Sequence, residues 1–129
     1  MLAVDTNVLV RFITADDARQ AARARALIAS NDVFIATTVL LETEWVLRSA
    51  YAFTAPDVVG AFAKLAGLPR VKLENPEAAA QALEWTRAGM DFADALHLAA
   101  ARDCEAFISF DGNLARKAKA IAKMPVRQP

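Results

Sequence analysis

Four acidic residues stand where an apolar segment ends or a helix begins. Asp5 follows Leu-Ala-Val, Glu42 lies in Thr-Val-Leu-Leu-Glu-Thr-Glu-Trp, Asp94 in Asp-Phe-Ala-Asp-Ala-Leu-His, and Asp111 follows Phe-Ile-Ser-Phe. Carboxylates brought together repel one another and lose favourable hydration, so a cluster of them calls for a compensating cation. Hard oxygen donors of this kind suit Mg²⁺ or Mn²⁺, and with them phosphoryl-transfer chemistry.

Each acid also has a plain structural reading. Asp5 can be a turn or cap residue, but Thr6 and Asn7 beside it can hydrogen-bond a carboxylate and fix its rotamer. Glu42 and Glu44 compete for the same role. Helical spacing puts Glu42 among Thr38, Val39, Trp45 and Val46, an inward face, whereas Glu44 has Arg48 at i+4 for a surface ion pair. Asp91 sits where an N-cap belongs, and Asp94 three positions on can compensate the helix dipole. Asp111 precedes Gly112 in a turn-like stretch, with Ser109 and Asn113 bracketing it as hydrogen-bonding neighbours. His97 is three residues from Asp94, close enough for a metal pair, though a histidine between Leu96 and Leu98 is more often a core residue. No GxxxxGK[ST], GxSxG, HExxH or CxxC pattern occurs, which removes the common nucleotide, esterase and zinc alternatives.

The elements that must position these residues follow from periodicity and caps. Apolar strands are expected at Leu2–Val4, Val33–Ala36, Val71–Leu73 and Ala106–Phe110, with a small edge strand at Met124–Arg127. Helices alternate with them: Thr6–Ile13; a second opened by Thr14-Ala-Asp-Asp17 and running to Ser30 on an inner stripe of Ala24, Leu27 and Ile28; and a third capped by Thr37 or Thr38 and ending near Ala50. A fourth starts at Thr54-Ala-Pro-Asp57 and stops at Gly67, a fifth runs from Asn75-Pro76 to about Gly89, a sixth from Asp91 to about Arg102, and a last from Leu114 to Ala122. Strands alternating with helices give an α/β fold with a mostly parallel sheet of four to five strands covered on both faces. Ligands of such sheets bind beyond the carboxyl ends of the strands. That is where Asp5 and Asp111 fall.

At 129 residues and 56% apolar content the chain is expected to be one domain, residues 1–129, with a sizeable core. Its formal charge is zero, so no global field advertises a polyanion partner. The local distribution differs: Arg116, Lys117, Lys119, Lys123 and Arg127 occur without an intervening acid. On a helix Arg116, Lys119 and Lys123 share one face, which is either a track for an RNA backbone or a solvated surface. The lone Cys104 excludes an internal disulfide, fits a reducing cytosol and reads as a structural thiol. No signal peptide and no stretch long enough to cross a bilayer is found, so a cytoplasmic protein without membrane association is expected.

The ordered set Leu-Ala-Val-Asp-Thr-Asn, Leu-Leu-Glu-Thr-Glu-Trp-Val-Leu, Asp-Phe-Ala-Asp-Ala-Leu-His-Leu-Ala and Phe-Ile-Ser-Phe-Asp resembles the PIN-domain ribonucleases, in particular the VapC-type toxins of prokaryotic toxin–antitoxin operons. The resemblance spans essentially the whole chain. It places the family's acidic quartet on Asp5, Glu42, Asp94 and Asp111, its polar neighbour on Asn7, and a serine at Ser109 where many relatives have threonine. It implies an α/β/α sandwich, one or two Mg²⁺ or Mn²⁺ ions, hydrolysis of RNA by metal-activated water, a homodimer and a cognate antitoxin. Phe12, Trp45 and Tyr51 are candidate aromatic anchors for such chains. Two other readings are a Mg²⁺-dependent phosphohydrolase of small phosphoesters and a non-catalytic RNA- or partner-binding module. Dehalogenase-like phosphohydrolases expect an aspartate two residues after the first, where this chain has Asn7.

Overall fold

Short runs of β-branched and apolar residues pair in register: Leu2 and Ala3 with Val33 and Phe34, and Val33–Ile35 with Val71–Leu73. These are β1 (Leu2–Ala3), β2 (Val33–Ile35) and β3 (Val71–Leu73), all parallel, in the order β1-β2-β3. The computed structural model describes residues 1–129, which divide into two compact units, Met1–Pro76 and Glu77–Pro129.

In the first unit α1 (Thr6–Thr14), α2 (Ala18–Ser30), α3 (Thr37–Ala50) and α4 (Ala55–Ala66) supply the crossovers that parallel strands require. Central β2 buries Val33 and Ile35 completely, while β1, an edge with one hydrogen-bonded neighbour, leaves Leu2 exposed and buries only the following Val4. The expected buried first strand is therefore buried at Val4 alone. Leu9, Val10, Ala24, Ile28, Leu40, Leu47, Val58 and Phe62 fill out the core. A fully buried leucine or phenylalanine contributes about 2–3 kcal/mol.

Two caps differ from the sequence reading. Asp17 caps α2 by accepting from the Gln20 N–H at 3.0 Å, whereas Thr14 ends α1 and donates to the Val10 carbonyl. The N-cap of α3 is Ala36 rather than a threonine, and the Thr37 N–H is instead satisfied at 2.9 Å by Glu74, 37 residues on. A distant carboxylate replaces the local hydroxyl, which no local pattern signals. Thr54 and Asp57 form the expected reciprocal capping box of α4.

The second unit holds α5 (Pro76–Arg87, which begins at the unit boundary), α6 (Phe92–Ala100) and α7 (Gly112–Lys117), with β4 (Phe107–Ile108) parallel to β5 (Val126–Arg127). Its core is alanine-rich, with Ala78, Ala79 and Ala82 on α5 and Phe92, Ala95, Leu98 and Ala99 on α6. The five strands of the expected α/β fold thus form a sheet of three and a sheet of two. The last helix is short and passes into a π-helical segment, Ala118–Ala122, closed by Lys123 in the left-handed region at φ 54°. Cys104 is exposed, so its expected structural role has no packing behind it. No helix is long and apolar enough to cross a membrane.

A polar network ties the first unit's helices. Arg11 donates to both Asp16 oxygens at 2.9 and 3.1 Å and to the Tyr51 hydroxyl at 3.0 Å, and Tyr51 donates to Asp16 at 2.7 Å. The Tyr51 bond, followed by those from Thr14 and Arg11, holds the Asp16 carboxyl below the usual carboxylate range despite some desolvation. A depressed carboxyl pKa contributes stability above its unfolded value and loses it as pH falls through the folded one. Tyr51→Phe should lower the melting temperature at neutral pH, and the gap from wild type should close as pH falls below the usual carboxylate range and through the depressed folded pKa of Asp16. Thermal unfolding followed across pH checks this; a gap independent of pH would show that Asp16 is not the group involved.

Candidate metal centre

The acids at strand ends are helix N-caps. Asp5 caps α1 through Oδ1, which accepts from the Val8 N–H at 3.3 Å. Asp111 caps α7, its Oδ1 accepting from Asn113 and Leu114 at 3.0 and 3.1 Å. Asp91 caps α6 by accepting from the Asp94 N–H at 3.1 Å, as its position predicts. Capping is worth about 1 kcal/mol, and the positive end of the helix eases the cost of the charge. It occupies one oxygen of Asp5 and of Asp111 and leaves the other to face a cation, so the structural and metal-binding readings are compatible.

In the first unit the residues around Asp5 and Glu42 are arranged by α1 and α3. Buried Thr6, the first residue of α1, donates a hydrogen bond to Glu42 Oε1 and fixes that carboxylate. The sequence predicts that Thr6 holds Asp5 beside it; its hydroxyl reaches Glu42 instead. Asn7 is exposed and makes no bond to Asp5; it lines a cavity between α1 and α2 instead.

The inward assignment of Glu42 is corrected by the structure. α3 buries Leu40, Thr43, Glu44 and Leu47, so Glu44 is the inward acid and Glu42 is exposed. Helical spacing misled because Val39, Val46 and Trp45 gave Glu42 apolar neighbours, yet Trp45 is itself 67% exposed and the two valines are only half-buried. Glu44 does pair with Arg48, at 3.8 Å, but from a buried position. Exposure leaves Glu42 accessible to a solvated ion, which a ligand needs.

In the second unit α6 and α7 bring Asp94 and Asp111 within electrostatic reach. Partial burial, then the charges of Asp91 and Asp111, raise the Asp94 carboxyl above its usual range; His97 and Lys117 oppose this weakly. His97 is exposed rather than in the core. Ser109 accepts from the Asp111 N–H at 3.0 Å, while Asn113 meets Asp111 through its backbone and not its side chain. Sequence reading missed Lys117, whose ammonium donates to the Gly89 carbonyl at 3.0 Å. Gly89, at φ 117°, makes the left-handed turn that delivers the chain to Asp91, and Lys117 ties that turn to α7. A lysine in a basic run carries no signal of the carbonyl it will reach.

Neither unit gathers three or more His, Cys, Asp or Glu side chains into a ligand set. Asp5 and Glu42 belong to one unit, Asp94 and Asp111 to the other. All four donors are carboxylates, the chemistry that Mg²⁺ and Mn²⁺ prefer, and Mg²⁺ commonly binds through one or two carboxylates with waters and substrate phosphates completing its shell. On donor chemistry the residues fit such an ion.

Residues 2–120 match the PIN domain family. This chain belongs to that family. Among solved structures the PIN domain is similar to VapC20 of Mycobacterium tuberculosis, described as a sarcin–ricin-loop-cleaving toxin, at 28% identity over 90% of this chain and 94% of that one, with a TM-score of 0.44. No curated protein matches it.

A carboxyl whose pKa is raised in the folded state destabilises the fold above that pKa, and the penalty vanishes once pH falls below the unfolded value. Asp94→Asn should therefore raise the melting temperature of the metal-free protein at neutral pH, with the difference shrinking toward about pH 3. Thermal scans in chelator are the check, and a variant less stable than wild type at neutral pH would remove the case for crowded charge around Asp94.

Proposed function

We propose that this PIN domain is a Mg²⁺- or Mn²⁺-dependent endoribonuclease and the toxin of a toxin–antitoxin pair, acting as one domain with Asp5, Glu42, Asp94 and Asp111 as its acidic quartet. The supporting observation is the crowding at Asp94, a partly buried carboxyl raised in pKa by burial and by the charges of Asp91 and Asp111, a repulsion that a bound cation would relieve. A bound divalent ion supplies an activated water and a counter-charge for the phosphate. The chain's own contribution is to hold the carboxylates. Helix caps fix Asp5 and Asp111, Thr6 orients Glu42, and Ser109 holds the backbone of Asp111. The toxin reading brings with it a cognate antitoxin and a homodimer, both taken from the family resemblance of the motifs.

Asp5→Asn keeps a good capping residue while removing the charge, so it separates fold from chemistry. It should fold normally and lose RNA cleavage by orders of magnitude. Glu42→Gln should also abolish cleavage and weaken Mn²⁺ binding. Glu44→Gln should retain both, at a stability cost of about 1 kcal/mol for an ion pair with one exposed partner. Purified, antitoxin-free protein incubated with total RNA, with Mn²⁺ or with EDTA, and Mn²⁺ titration calorimetry are the measurements. Cleavage by Asp5→Asn equal to wild type, or a reversal between Glu42 and Glu44, would overturn the site.

The basic segment is read as an RNA track. Arg116, Lys119 and Lys123 are exposed, form no ion pairs, and together line a cavity of about 620 Å³ with Met124, Pro125 and Val126. Lys119 lies in the π-helical segment and Lys123 closes it, and both line the same cavity. On a single strand each neutralised phosphate contributes about −0.7 to the slope of log affinity against log salt. Lys119→Ala in a cleavage-dead Asp111→Asn background should weaken RNA binding and flatten that slope by about this amount. An unchanged slope returns the segment to a solvated surface.

A further inference from the structure

The cavity between α1 and α2 begins two residues after Asp5 and has a one-sided chemistry. Its volume is about 280 Å³, at the small end for a ligand site. Val8, Ala24 and Leu27 give it an apolar floor, and Asn7, Gln20 and Arg23 supply polar groups at its edge. No acid lines it. Arg11 also reaches the cavity, but its charge is met by Asp16, and its Nε donates to Gln20 Oε1 at 2.7 Å. That bond turns the Gln20 amide so that its NH₂ group remains a donor. Arg23 is exposed and forms no ion pair. A site with a free guanidinium, amide donors and a small apolar floor suits a ligand that is both anionic and flat.

We infer that this cavity is a subsite for one nucleotide of the RNA strand, with Arg23 on a phosphate and Asn7 at the base edge above Val8 and Leu27. Arg is suited to phosphate by its planar fork of donors, and an amide can both donate to and accept from a base. The inference rests on the nuclease reading, for which Asp5 at the head of the same helix supplies the reacting end. It extends that reading to a specific contact upstream or downstream of the cut.

Arg23→Ala is expected to fold normally, since alanine favours helix, and to raise KM for an oligoribonucleotide about tenfold with kcat little changed, the loss expected of one charge-assisted hydrogen bond. In the Asp111→Asn background the same change should flatten the salt slope by about 0.7. Arg25→Ala removes the same charge from the same helix but lines a different cavity, with Phe12 and Ile28, and should leave KM unchanged. In NMR titration with adenosine 5′-monophosphate, the methyl groups of Val8 and Leu27 should shift, while inorganic phosphate alone should not move them. Wild type that cleaves RNA with an unaffected Arg23→Ala variant overturns the subsite alone. Equal losses in Arg23→Ala and Arg25→Ala, or equal methyl shifts with phosphate and nucleotide, also overturn it. Wild type that neither binds nor cleaves RNA overturns both the subsite and the nuclease reading.

Discussion

A carboxylate held at the start of a helix is the interaction on which the rest of this structure depends. Asp5, Asp17, Asp91 and Asp111 each accept from backbone N–H groups of the first turn that would otherwise lack partners. The same bonds place negative charge where the helix dipole favours it, and where parallel strands release their chains. One bond therefore starts a helix and fixes the rotamer of an exposed carboxylate at its head. The limit of this device is seen at Asp94. It is the third residue of its helix, yet partial burial, followed by the charges of Asp91 and Asp111, raises its proton affinity.

Around the caps, side chains from distant positions do the finer positioning. Thr6 reaches Glu42, Glu74 satisfies the first N–H of α3, and Lys117 fastens the turn at Gly89. Each joins residues 28 or more positions apart in the chain, and the Thr6–Glu42 contact is also partly buried. Tyr51 and Arg11 serve Asp16 in the same way and connect the end of α3 to the junction of α1 and α2. The core supplies stability, and these contacts decide where the functional groups point.

The basic end of the chain follows a different logic. Arg116, Lys119 and Lys123 form no ion pair, so their charges cannot be explained as pairs that stabilise the surface. Lys119 lies in the π-helical turn and Lys123 closes it, and the two line one cavity with Arg116. In contrast, the neighbouring Lys117 is committed to a carbonyl and Arg127 to Glu105 at 3.8 Å. A run of five basic residues thus divides into three that remain free and two that are used by the fold.

Local pattern by itself determined most of the elements. Strand Val71–Leu73, the start of α5 at Pro76, the capping box of α4 and the cap at Asp91 all match their sequence signals, because each depends on residues within one turn of itself. The motifs around the four acids were equally legible, and they led to the family that the chain belongs to. Tertiary structure decided what depends on partners far along the chain. Glu44 rather than Glu42 turned inward because α3 packs on its Leu40–Leu47 face, a choice that two nearly equal apolar stripes leave open in sequence. The cap of α3 came from Glu74, the edge position of β1 left Leu2 exposed, and five strands divided into sheets of three and two. Helix spacing and capping are properties of neighbours in sequence, whereas burial, pairing and orientation are set by which surfaces meet.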